Sequence, residues 1–126
     1  MTDLRPPELG VLLQVVPVVQ TRSRGPWSLV LVSIERWDRC FVANFDIHQE
    51  APIERADKRL HPQLELDISD DGGTRYESRL SGGSGGGRRD GGRSHRLIYK
   101  FLPPLDPAAR ELRLTAQLQL VRQEEG

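Results

Sequence analysis

The chain is short of the residues on which much protein chemistry depends. A single cysteine, Cys40, excludes an internal disulfide and any cysteine-only metal site. The three histidines, His48, His61 and His95, lie in separate segments, with no H-x-x-x-H or H-E-x-x-H spacing for a metal. Excess charge is absent too: 18 basic residues balance 18 acidic ones, whereas a protein that grips nucleic acid through phosphates carries a basic surplus. The longest apolar run, Val15 to Val19, is interrupted by Pro17 and falls far below the ~20 residues that span a bilayer. The opening residues Met1 to Pro7 hold an acid and two prolines in place of a basic and then apolar leader, so the expected location is cytoplasmic, with no membrane contact.

What is present is alternation. At 126 residues the chain is one domain in length, and apolar residues recur with period two in segment after segment. Gly10 to Gln20 carries apolar residues on both faces, with Pro17 marking an edge or a bulge. Trp27 to Arg36 places Val30, Val32 and Ile34 on one face and Leu29 and Leu31 on the other. Cys40 to His48 alternates more cleanly, with Phe41, Ala43, Phe45 and Ile47 inward. The charged, proline-containing stretch from Gln49 to Pro62 reads as a long crossover loop with a helical turn near 53–58.

A hairpin follows, turning at Asp70-Asp71-Gly72-Gly73, because Asp and Gly tolerate the backbone conformations of tight turns. Residues 81–94 are mostly glycine, serine and arginine, with few side chains to offset the entropy of ordering, and predict a flexible loop. Strand pattern resumes with Leu97, Tyr99 and Phe101 on one face and ends at Pro103-Pro104. Asp106 before Pro107 predicts one capped turn, and Leu112 to Arg122 a last strand with Leu112, Leu114, Ala116, Leu118 and Leu120 inward. The termini, 1–8 and 123–126, should fray. About seven strands at these spacings predict a single all-β domain, an immunoglobulin-like two-sheet antiparallel sandwich with a Greek-key connection.

The order of features after Leu64 also carries a resemblance. Asp70-Asp71-Gly72-Gly73-Thr74-Arg75-Tyr76 closes a strand, and a glycine-rich segment and an aromatic strand ending Phe101-Leu102-Pro103-Pro104-Leu105 follow. Then come the turn Asp106-Pro107-Ala108-Ala109-Arg110 and a Leu-x-Leu strand. This is similar to bacterial immunoglobulin-like domains, some of them in the extracellular parts of anti-sigma-factor-like membrane proteins. The resemblance covers about half the chain and implies a fold rather than a task.

Four motifs invite chemistry. Asp67-Ile68-Ser69-Asp70-Asp71-Gly72 places Asp67, Ser69 and Asp71 in the first three ligand positions of a calcium loop and glycine at the sixth. The bidentate glutamate of that pattern is replaced by Ser78, and the flanks read as strands, so a hairpin turn with solvated acids competes with the calcium reading. Gly87 to Ser94 spaces like a phosphate loop, with Arg93 in the place of the lysine, yet a strand follows where the mechanism needs a helix. Arg88, Arg89, Arg93, His95 and Arg96 form a basic patch without interleaved aromatics for bases to stack on. Cys40 and His48 would sit at opposite ends of one strand, ~26 Å apart, and cannot form a dyad.

No catalytic set or cofactor motif survives, and the expectation is a non-enzymatic interaction or scaffold domain. Its partner is a protein, most simply a second copy in a homodimer. The candidate contact residues are Leu12, Val16, Leu29 and Leu31, where strands carry apolar side chains on both faces, with Trp27 and Trp37 near loops. The alternative is a calcium- or carbohydrate-binding module that uses the acidic turn or a loop tryptophan, although a loop tryptophan more often plugs the end of a sandwich.

Overall fold

The computed structural model describes residues 9–53 and 60–122. Seven antiparallel strands run in the order β1-β2-β3-β6-β5-β4-β7. They are β1 (Leu12–Arg24), β2 (Trp27–Trp37), β3 (Phe41–Gln49), β4 (Leu60–Asp70), β5 (Arg75–Gly87), β6 (Arg93–Leu102) and β7 (Leu112–Arg122). The all-β, seven-stranded expectation holds. The strands form one sheet curled into a half-barrel, and among the described residues there is no second sheet to make a sandwich. The physical reason lies at the β4–β5 hairpin. Only Ile68↔Tyr76 and Ser69↔Arg75 pair there, after which β5 leaves β4 and ladders along β6 from Glu77↔Leu102 to Gly87↔Arg93. Meanwhile β4 ladders with β7 over its whole length. The sheet thus bends at the turn and stays connected through it.

The core fills the concave side. Phe41, Ala43, Phe45 and Ile47 of β3 and Leu97, Tyr99 and Phe101 of β6 are buried against Leu64 and Ile68 of β4, as the alternation predicts. Phe41 stacks on Phe101 at 4.8 Å between ring centres and meets the Tyr76 ring edge-on at 4.9 Å. In β2 the alternation misleads. A bulge between Leu31 and Ser33 advances the phase by one residue, so Leu29, Leu31 and Ile34 all join the concave core. The convex face carries a smaller cluster of Leu9, Trp37, Cys40 and Val42, covered in part by Ile98 and Leu102.

The glycine-rich segment expected as a loop is strand through Gly87, and only 88–92 forms the turn into β6. The compensation for ordering it comes from the β6 ladder and from β6 side chains lying over the bare backbone. A Cβ on Gly85 would stand 2.5 Å from His95 Nδ1, and one on Gly83 would stand 3.3 Å from Leu97 Cδ2. The fraying expected for 1–8 and 123–126, and most of the helical turn expected near 53–58, lie outside the described residues. Among the described residues no helix is long and apolar enough to cross a membrane.

Candidate functional site

The open sides of the half-barrel are its two edge strands, β1 and β7. From Val11 to Val19, along most of the first half of β1, there is no charged residue, and six large apolar side chains stand exposed: Val11, Leu12, Leu13, Val15, Val16 and Val19, at 36–69%. An apolar edge strand is an unfinished sheet, since its outer N–H and C=O groups and its side chains both lack neighbours. Two irregularities blunt this edge, and the first of them, between Leu12 and Gln14, falls inside the apolar stretch. A bulge between Pro17 and Gln20, with Val19 at φ 51°, interrupts the pairing with β2.

Beyond the bulge, the inward side chains of β1 face those of β7 across a cleft. One part, of about 510 Å³, is lined by Val18, Gln20 and Arg22 from β1, Leu31 and Ile34 from β2, and Leu112 and Leu114 from β7, with Phe45 and Ile68 also on its walls. The adjoining part, of about 580 Å³, shares Arg22, Leu29 and Ala116 with the first and adds Arg24, Trp27, Leu118 and Leu120. The order of these residues shows that β1 and β7 run alongside each other in the same direction, Val18 to Arg24 beside Leu112 to Leu120. Among the described residues no carboxylate lines either part.

Of the contact residues expected from the sequence, Leu12 and Val16 are exposed on β1, Leu29 is half-buried, and Leu31 is buried in the core. Trp27 lines the cleft, whereas Trp37 is buried on the convex side, where its Nε1 donates to Glu35 Oε1 at 3.1 Å. Leu31 and Trp37 are therefore packing residues, the first because of the β2 bulge and the second because Leu9 and Cys40 pack around it. Glu35 itself is buried and also accepts from Asn44 Nδ2 at 3.0 Å.

The three residues expected as calcium ligands are not brought together. Asp67 and Ser69 lie along the extended strand β4, which places Asp67 and Asp71 ~13 Å apart by strand rise. The Asp71 carboxylate accepts instead from the Arg110 N–H at 3.1 Å. The residue that organises this turn is Asp70, whose Oδ1 accepts from the N–H groups of Gly72 and Thr74, both at 2.9 Å, and whose Oδ2 accepts from the Tyr76 hydroxyl at 2.7 Å. The Tyr76 hydroxyl, above all, holds the Asp70 carboxyl below its usual range. Among the described residues no group of three or more His, Cys, Asp or Glu side chains could hold a metal ion.

The basic patch is largely paired off: Arg88 with Asp90, Arg96 with Asp46, and Arg93 with the Gln49 side chain at 2.6 Å. Strand pairing also creates a contact that linear spacing hides. His48 Nδ1 and Ser94 Oγ lie 2.9 Å apart, on a convex-side hollow of about 460 Å³ floored by the β5 glycines. Among the described residues no carboxylate orients the His48 ring, and Asp46 beside it is engaged by Arg96. The His48–Ser94 pair is thus a cross-strand hydrogen bond between β3 and β6, and a relay would need a third group.

No family model and no curated protein matches the chain. Among solved structures it is similar to a conserved domain protein from Bacillus anthracis, with a TM-score of 0.64 at 19% identity, over 90% of this chain. The chain spans 37% of that protein's length, and the likeness is one of fold.

Proposed function

We propose that this domain is a non-enzymatic protein-interaction module that self-associates through the first half of β1. The observation that carries this reading is the uncharged, apolar edge from Leu12 to Val16, laddered to β2 on one side alone among the described residues. Covering a half-exposed valine or leucine contributes roughly 1 kcal/mol, about half the value for full burial, and several such side chains lie together. A second copy fits because a two-fold axis near Val15 pairs this stretch with itself and brings no like charges together. The irregularity between Leu12 and Gln14 on one side, and Pro17 with the following bulge on the other, limit the ladder to the residues between them.

Sedimentation velocity across micromolar concentrations tests the reading. The chain should dimerise, and a lysine at Val15, exposed on the edge, should leave a folded monomer. A strict monomer throughout would end the self-association proposal.

A further inference from the structure

We propose that the cleft between β1 and β7 is a binding site for a single-chain anionic amphiphile, of the fatty-acid class, independent of the self-associating edge. Three features of the cleft point to this ligand. Its β7 floor is mainly apolar, with Leu112, Leu114, Ala116, Leu118 and Leu120 along it beside the uncharged Thr115 and Gln117. Its β1 wall changes character along its length, from Val18 through Gln20 to Arg22 and Arg24. Among the described residues neither Arg22 nor Arg24 has a carboxylate partner, and Arg22 is satisfied only by the neighbouring Thr21 carbonyl at 3.1 Å.

The gradient orients the ligand. The anionic head lies between Arg22 and Arg24, beside Trp27, and the alkyl chain runs toward Ile34, Phe45 and Ile68. Two adjoining volumes of about 580 and 510 Å³ match the size of small-molecule sites, which are mostly apolar with a few placed polar groups. A guanidinium is suited to a carboxylate because it offers two parallel donors, and an apolar cleft strengthens the pairing by excluding water. The opening exists because β1 and β7, the two edges of the sheet, do not ladder with each other among the described residues, so side chains rather than backbone hydrogen bonds fill the gap.

Isothermal titration of the whole chain with dodecanoate, kept below its micellar concentration, tests the proposal. The expected result is saturable one-to-one binding, with dodecyltrimethylammonium at least roughly tenfold weaker, the factor of one charge-assisted hydrogen bond. Replacing both arginines, Arg22→Gln with Arg24→Gln, should weaken dodecanoate by about the same factor while leaving the thermal melt unchanged. Ala116→Trp, which fills the middle of the cleft, should abolish binding, and Val15→Lys on the dimer edge should leave it intact. The proposal fails if dodecanoate does not saturate, if the dodecyl cation binds as tightly, or if the double arginine variant keeps full affinity. It fails equally if an extended acidic and apolar peptide binds where dodecanoate does not, because the cleft would then belong to a protein partner.

Discussion

Replacing Tyr99 with phenylalanine would remove one oxygen atom from the interior of this domain and nothing else. The Tyr99 hydroxyl accepts from the Leu64 N–H at 3.0 Å and donates toward the Leu64 carbonyl at 3.4 Å. It does so because β5 has left β4 by this point: the β4–β5 ladder stops at Ile68↔Tyr76, and Leu64 is laddered only to β7. A side chain from β6 thus substitutes for a missing strand. In the variant the Leu64 N–H stays buried without that acceptor, at a cost of about 1–3 kcal/mol, while the long second bond adds little. The edge-on contact of the ring with Phe45, at 5.9 Å between centres, is unaffected. A loss of about 2 kcal/mol corresponds to a melting temperature lower by roughly 6–10 °C in a domain of this size. Urea unfolding followed by circular dichroism should show a lower midpoint at unchanged slope, and amide exchange at Leu64 should accelerate. A variant within about 0.5 kcal/mol of the parent, with Leu64 exchange unchanged, would refute the claim that this hydroxyl replaces a ladder partner.

Three further outcomes follow from the same packing. Gly85→Ala should destabilise by about 1–3 kcal/mol, the range for overpacking, because its Cβ would meet the His95 ring 2.5 Å away, whereas Gly86→Ala, with open space at that Cβ, should cost little; equal melting temperatures would contradict the close approach. Stability should fall as pH rises above 10, since burial and the Asp70 hydrogen bond push Tyr76 up to about 12, and burial raises Tyr99. A raised folded value contributes stability that is full below the ordinary tyrosine value and lost as pH climbs through the folded one, so the Tyr76→Phe, Tyr99→Phe pair should flatten that limb of a denaturation series. His95 has the opposite sense. Burial first, then the charges of Arg93 and His61, lower its value, so its contribution is present above 6.5 and disappears as pH falls through the folded value.

Alternation alone was enough to place seven strands and most of the concave core, but not the strands' ends: β1 runs on to Arg24, β4 begins at Leu60 inside the expected crossover loop, and β5 continues to Gly87. Phe41, Phe45, Ile47, Leu97, Tyr99 and Phe101 fall on the inner face because period two in a half-buried strand admits only one arrangement. The apolar character of β1 was equally legible, since nine successive residues without a charge need no neighbour to be recognised. Tertiary structure decided the rest. One extra residue at the β2 bulge moved Leu29 and Leu31 from a supposed outer face into the core, and no local pattern announces a bulge. The glycine-rich segment became strand because His95 and Leu97 lean over it, a partnership made by β6 and invisible in the segment's own composition. The cleft exists only because the curl of the sheet brings β1 and β7 face to face from opposite ends of the chain, and a curl is set by how strands pair, not by what any one strand contains.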